Sequence, residues 1–329
     1  NEGVDVIVGL PLSGELAAAV PYLGEHGLVA ISSASTSPSP VLRQADTIFR
    51  VSPPELYLAR TLAGFAIDQG YRRAAVIYRN DQWGPHYAEE LAAAFRGRGY
   101  PTALVPIEPT HPQVGDYAAE VARLSARVSE LGADEQTVVL MVVWEGEDLN
   151  ILHHAAGDPV LSRVRWLSAL LYPSLLDGRF GDMSLPDARD FALARSMWGQ
   201  EFRPPTNDLV RRLWSQARAE LGREPRFEHV FLYDALQIAV RAVLLAGSTD
   251  GGAVAAAIPA AAEEYRAATG LVRFDANGDR TSGDLAYYGL FQGPQEFEYR
   301  YYAFYDAAAG RFTVLSEPEH RDVRFCPEC

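Results

Sequence analysis

The sequence predicts an α/β protein: a doubly wound, mostly parallel sheet with helices on both faces, divided into two lobes. Short β-branched and apolar runs alternate with helix-length amphipathic segments from the start of the chain to about Ala169, as parallel strands covered on both faces require. Glycines stand where helices should stop, at Gly70 and Gly99, because a left-handed cap costs glycine least. The chain has 329 residues, about twice the usual single domain, so each of two units can bury a core.

In chain order, Val4–Gly9 reads as a strand, Leu16 to Gly24 as an Ala/Leu-rich helix, Leu28–Ser32 as a strand ending in the polar loop Ser33–Pro38, and Thr47–Val51 as a strand. Glu55 to Gln69 is a helix. The unit then repeats: strands at 73–78, 100–107, 137–143 and 164–169, and helices at 84–98, 117–131 and 149–156. Further helices are expected at 208–221, 230–246 and 251–268, the second nearly uncharged over two turns and so expected to be buried. A strongly aromatic β segment runs from Leu285 to Leu315. Ser52-Pro53-Pro54 and Arg203-Pro204-Pro205 have the stiffness of passages between packed units.

Composition excludes several classes. At 48% hydrophobic and 22% charged the chain should fold rather than stay disordered. Its net charge is −14 and every basic residue is Arg, with no basic tract, which argues against nucleic acid, since phosphate binding rests on clustered cations. The longest apolar run, Val138 to Trp144, has strand length rather than membrane length. Asn1-Glu2-Gly3 enters a strand pattern directly, so a soluble chain, mature or a fragment, is expected. The two cysteines, Cys326 and Cys329, close the chain; two ligands are half of a structural zinc site, and a tail without a metal role is the expectation. His153-His154 lack the i,i+4 spacing of a helical metal pair, and Asp275-Ala276-Asn277-Gly278-Asp279 lacks the later Glu of a calcium loop, so it reads as a turn. No metal or cofactor is expected. GxSxG, HExxH, GxxxxGKS and GxGxxG patterns are absent, which leaves an enzyme unsupported.

From Gly3 onward the chain resembles the type I periplasmic binding proteins that deliver branched-chain amino acids and related solutes to ABC transporters. The resemblance is collinear. It runs through Val4–Gly9 with Ser13, Ile31–Pro38, Phe49–Pro53, Ala75–Tyr78 before Asp81-Gln82-Trp83-Gly84, Asp116-Tyr117, Tyr233-Asp234-Ala235 and Gly270–Asp279. It implies a two-lobe fold with a three-crossing hinge, lobe I at 1–54 and 201–283 and lobe II at 55–200 and 284–329. Ligand would lie in a cleft at the carboxyl ends of the strands, captured by closure. Family members begin with a strand, helix, strand and helix that have no counterpart here, so lobe I is expected to be incomplete, with an open sheet edge and an uncovered apolar face.

The resemblance also assigns roles. Ser13 and the loop Ala34, Ser35, Thr36 would meet the carboxylate and amino groups of a ligand through hydroxyls and backbone groups; a plain helix N-cap for Ser13 and a plain turn for the loop are the alternatives. Trp83 and Trp144 would cover the ligand side chain, stacking on it or attracting a cation through the ring face. Many members place an acidic residue after the strand matching Val164–Ser168, where this chain has Ala169-Leu170-Leu171-Tyr172. Glu55, Glu145 or Glu147 could substitute as the ammonium partner, or the ligand lacks an amino group. Tyr233 and Asp234 face either the hinge or the core. The expected function is that of an extracytoplasmic solute-binding protein, periplasmic or a cell-surface lipoprotein, for an amino acid or a related carboxylate or amide, with a membrane permease as partner. A ligand-sensing domain of the same fold, or a degenerate member acting through protein contacts, are the alternatives.

Overall fold

The computed structural model describes residues 5–43, 46–110, 115–170, 186–203, 208–222, 227–292 and 297–315. The chain divides into two compact units, one holding residues up to Tyr57 with Phe202–Asp284, the other Leu58–Glu201 with the segment from Leu285 on.

Unit 1 carries a parallel three-stranded sheet in the order β1 (Val6–Gly9), β2 (Val29–Ser32), β3 (Ile48–Arg50). Val6 lies opposite Val29, and Ile31 opposite Phe49. Side chains alternate across a strand, and the core divides accordingly. Val29 and Ile31 pack with Phe231, Ala235, Ile238, Val254 and Ile258 on one face, while Leu28 and Ala30 pack with Leu16, Leu23 and Leu42 on the other. Helix α1 (Ser13–Glu25) and the single turn α2 (Pro40–Arg43) cover that second face. The first belongs to helices that follow later in the chain.

Helix α3 (Glu55–Asp68) leads into unit 2, whose sheet has eight strands. β4 (Arg73–Arg79), β5 (Thr102–Ile107), β6 (Thr137–Val142), β7 (Arg165–Ser168) and β8 (Trp198–Phe202) are parallel, and β9 (Leu285–Gln292), β10 (Phe297–Asp306) and β11 (Arg311–Val314) form an antiparallel ladder at one edge. Helices α4 (Gly84–Arg96), α5 (Ala118–Leu131), α6 (Glu147–Ala156) and α7 (Pro186–Ala194) connect the parallel strands. All six residues of β6 are buried, the continuous apolar run of a strand covered on both sides.

Helices α8 (Asp208–Leu221), α9 (Phe227–Ala246) and α10 (Gly251–Glu264) complete unit 1. Two expectations are corrected here. α10 stops at Glu264, and α9 is buried on one face only. Ala235, Ile238 and Ala242 are inside, whereas Leu232, Leu236, Val240 and Leu244 form an exposed stripe, Leu244 at 75%. By length and composition Glu228–Ala246 could cross a membrane, with a mean hydropathy of 1.5 and 39% of that stretch buried. Polar Tyr233, Gln237 and Arg241 interrupt it, so a search for unbroken apolar runs passes it by. It packs on β1 and β2 as a helix of unit 1.

Sequence reading also missed β8 and α7. Trp198-Gly199-Gln200-Glu201 carries no apolar alternation, yet Gln200 is buried with a partner for each polar atom of its amide: it donates to Thr61 Oγ1 (2.8 Å) and Tyr287 Oη (2.9 Å) and accepts from Tyr87 Oη (2.9 Å). Polar burial with every bond made is compatible with a core strand.

Candidate functional site

In unit 1, residues 10–13 follow β1 and residues 33–38 follow β2, so both segments leave the carboxyl edge of a parallel sheet, where ligands of open α/β sheets bind. The chain turns sharply at Gly9 (φ 127°) and Leu10 (φ 50°); a leucine in the left-handed region is strained by about 1–2 kcal/mol. Ser32 Oγ holds the bend by donating to the Leu10 carbonyl at 2.9 Å and accepts the Ser35 N–H at 3.2 Å.

Helix α1 starts at Ser13, with Leu12 as a cap that makes no side-chain bond. The Ser13 hydroxyl turns instead to the 33–38 loop. Its oxygen accepts the N–H groups of Thr36 (3.3 Å) and Ser37 (3.2 Å) and lies 3.0 Å from Ser35 Oγ. A hydroxyl has two acceptor positions and one proton. With both acceptor positions filled, Ser13 must donate to Ser35, which leaves the Ser35 proton as the free end of a polarised chain. Thr36 points the other way: its hydroxyl donates to Glu55 Oε2 at 3.2 Å, and the Glu55 N–H donates to the Thr36 carbonyl at 3.0 Å. The Thr36 oxygen can then only accept, which suits an N–H group rather than a carboxylate. Glu55 is fully buried at the first turn of α3, where the helix dipole favours its charge. Ala34 is half-buried in the same loop.

The loop has a charged support. Arg50, buried, donates to the Ser37 carbonyl and, through Nε, to Asp279 Oδ1 at 2.6 Å. Burial pushes the Asp279 carboxyl up, against the pull of Arg50. Asp279 ends the turn that sequence alone likened to a calcium loop, and Asp275 Oδ1 organises that turn by accepting the N–H groups of Asn277 and Asp279.

Tyr233 and Asp234 belong elsewhere in unit 1. Asp234, fully buried, accepts from Tyr265 Oη, Ala268 N, Thr269 N and Thr269 Oγ1 at 2.6–3.0 Å. With both oxygens doubly engaged it anchors the 265–269 segment to α9. Tyr233 lines a groove of about 590 Å³ between α8 and α9 with Leu213, Trp214, Glu220 and His229.

In unit 2 the candidate tryptophans follow neighbouring strands. Tyr78 pairs with Val142, and the turns after β4 and β6 carry Trp83 and Trp144, both half-buried. Asp81 Oδ1 accepts the N–H groups of Trp83 (2.8 Å) and Gly84 (3.0 Å), opening α4. Gly84 is required: a Cβ there would lie 1.9 Å from the Arg79 carbonyl oxygen. The Trp83 ring meets Tyr87 edge-on with centroids 5.6 Å apart. Glu147 Oε2 accepts the Trp144 N–H at 2.9 Å. Arg79 joins the two turns, donating from Nε to Asp81 Oδ2 (2.6 Å) and from Nη1 to Glu147 Oε1 (2.8 Å), with its guanidinium 4.6 Å from the Trp144 ring centre. One face of that ring is therefore already occupied by a cation. Sequence reasoning passed over Arg79; an Arg ending a buried strand before Asp-Gln-Trp-Gly was the available signal.

Carboxyls crowd the β6–α6 turn. Glu145, Glu147 and Asp148 are all buried. Burial raises the Glu147 carboxyl while the Trp144 N–H and Arg79 oppose the rise. Asp148 Oδ1 accepts the N–H groups of Gly146 and Leu149 at 2.8 Å each, whereas Oδ2 is buried without a partner. Burial, with Glu145 and Glu147 nearby, pushes the Asp148 carboxyl up to about 7. His153 and His154 turn to separate partners, Asp187 (2.6 Å) and Asp116 (2.9 Å), and no group of three potential metal ligands occurs among the described residues. Cys326, Cys329, Leu171, Tyr172, Pro204 and Pro205 lie outside the described residues.

Residues 1–293 match the family model described as periplasmic binding protein. An ABC transporter substrate-binding protein from Desulfitobacterium hafniense, solved in complex with Leu, is similar with a TM-score of 0.67 and 22% identity, over 91% of this chain and 81% of that one. A solute-binding protein of an ABC transporter from Rhodopseudomonas palustris HaA2, in complex with p-hydroxybenzoic acid, gives a TM-score of 0.70 and 15% identity, over 93% and 79%. Among curated proteins, the uncharacterized protein MJ1266 of Methanocaldococcus jannaschii is 21% identical over 308 residues, 88% of this chain and 70% of its own length.

Proposed function

This chain belongs to the periplasmic binding protein family, and from that premise we propose that it is an extracytoplasmic solute-binding protein of an ABC transporter. Its ligand is a small amino acid or a related carboxylate or amide, its partner a membrane permease, and it acts by ligand-linked closure rather than by bond chemistry. Closure needs only a ligand that favours the closed state over the open one.

The observation that carries this reading is the hydroxyl chain at the carboxyl edge of the unit 1 sheet. Thr36 and Ser37 N–H groups converge on Ser13, whose hydroxyl then donates to Ser35, and Ser35 ends as a donor one residue from the Thr36 oxygen, an acceptor. A donor for an oxygen beside an acceptor for an N–H matches the polar head of an amino acid or an amide. Within unit 2, the aromatic turns at Trp83 and Trp144 form a surface of the kind that apolar groups stack on. The relatives solved with Leu and with p-hydroxybenzoic acid support these chemical classes.

The test is isothermal titration of ligand-stripped protein with leucine, glutamine and p-hydroxybenzoate, beside the Ser13→Ala variant. Saturable one-to-one binding of one probe, weakened at least about tenfold in the variant, is expected, since tenfold corresponds to a single neutral hydrogen bond. Binding of none, or binding indifferent to Ser13, contradicts the reading.

A further inference from the structure

We propose that Arg79 is a positioning residue that sets both tryptophans of unit 2 at once and leaves the Trp144 ring face suited to uncharged ligand groups rather than cationic ones. The inference rests on the solute-binding reading above and names the ligand chemistry at that surface.

Arg79 stands at the carboxyl end of β4, beside β6. Its planar fork reaches two carboxylates, and each of these holds the backbone N–H of a different tryptophan: Asp81 that of Trp83 (2.8 Å), Glu147 that of Trp144 (2.9 Å). Two turns from two strands thus share one cation. The geometry depends on a guanidinium, because two divergent N–H vectors in one plane can serve two acceptors at fixed separation, whereas an ammonium on a flexible stem is a point charge without that fork. Arg79 is buried and Glu147 fully so, which keeps water from the bond between them, while Asp81 is half-buried.

The same guanidinium fixes what the Trp144 ring can bind. It lies 4.6 Å from the ring centre, within cation–π distance. A second cation on the opposite face would meet a ring whose negative quadrupole is already engaged and a like charge across it. An alkyl or aromatic group meets no such repulsion, whereas a carboxylate would face Asp81, Glu145 and Glu147. Arg79 therefore acts through Trp83 and Trp144 and need not touch ligand itself.

Two variants test this. Arg79→Lys keeps the charge and loses the fork; Arg79→Gln combined with Glu147→Gln removes the buried pair together, so that neither charge is left alone. The chain has five tryptophans, and in protein labelled with 5-fluorotryptophan, with resonances assigned from single Trp→Phe variants, both Arg79 variants should move the Trp83 and Trp144 resonances together. Those of Trp166, Trp198 and Trp214 should stay in place. Movement of one alone, of neither, or of all five overturns the positioning role. The ligand half is read by titrating norleucine and lysine, whose chains are matched in length. The unmodified protein should prefer norleucine by about tenfold or more, the equivalent of a typical exposed-to-buried cation–π contact, and the double variant should lose that preference. Equal affinity of the unmodified protein for both overturns the charge selection and leaves the solute-binding reading standing. Failure to bind norleucine, lysine, leucine, glutamine or p-hydroxybenzoate contradicts the solute-binding reading itself, while the fluorine spectra still decide the placement of the two rings.

Discussion

In unit 2 all six residues of β6 are buried, whereas in unit 1 all four residues of the outermost strand β1 are half-exposed and α9, which packs on it, shows a stripe of Leu232, Leu236, Val240 and Leu244 to solvent. The candidate sites differ as well. Unit 2 ties its two tryptophan turns together through one shared cation, Arg79; unit 1 holds its serine loop with hydroxyl and backbone bonds at Ser13, with charged supports in Arg50 on the Ser37 carbonyl and Glu55 on the Thr36 hydroxyl, beside a strained bend at Leu10. Charge-assisted bonds are roughly twice as strong as neutral ones. Both loops have bonds of that kind, so the difference between them lies in the cation shared by two turns of unit 2 and the strained Leu10 bend of unit 1.

That contrast can be broken or sharpened by substitution. The largest effect is expected at Asp234→Ala, which strips four hydrogen bonds from the 265–269 segment and removes a carboxyl that interacts electrostatically with the buried Arg280. A loss of about 3–5 kcal/mol is expected, seen in urea unfolding followed at Trp214 of unit 1; an unchanged midpoint would show that unit 1 does not depend on this anchor. Ser13→Ala should cost about 1–3 kcal/mol, because two buried N–H groups lose their acceptor, together with the loss of affinity described above. Arg79→Gln alone should exceed the double Arg79→Gln, Glu147→Gln variant in destabilisation, since the single change leaves Glu147 buried with its charge unmatched.

A smaller, pH-dependent effect belongs to Asp148. Its carboxyl is raised from 3.8 to about 7 in the folded chain, so between those values the folded state holds a proton that the unfolded state has released. Stability from this group therefore falls as pH rises through that window, by at most about 1.4 kcal/mol per pH unit. Asp148→Asn should remove this component, and urea midpoints at pH 5 and pH 8 should lie closer together in the variant than in the unmodified chain. The smallest effect is expected for Leu236→Glu on the exposed stripe of α9, within about 0.5 kcal/mol, with less self-association in gel filtration. A large loss there would mean that the stripe is covered in solution.

Much of the α/β order was legible because its signals are local. The periodicity of Asp208–Leu221 marks α8 to the residue, and the apolar run at Thr137–Val143 marks β6, which ends one residue earlier. β8 escaped because what makes it a strand is non-local: Gln200 is acceptable in the core only through partners 61, 87 and 287 along the chain. At the site, residue types could be picked out, but proton direction could not. Thr36 looks like a carboxylate donor in the sequence and is left as an acceptor in the structure because its hydroxyl already donates to Glu55. Asp234 looks equally suited to ligand and core until its four donors, all more than thirty residues away, are in view. Arg79 was invisible for the same reason, since its second carboxylate lies 68 positions on.

The central claim is that this protein holds a small solute, and the most direct measurement is mass spectrometry of what natively expressed, purified protein releases on denaturation. One equivalent of an amino acid or of a related carboxylate or amide, missing from Ser13→Ala prepared in parallel, is the predicted result. An empty protein that also takes up none of the probe solutes would contradict it.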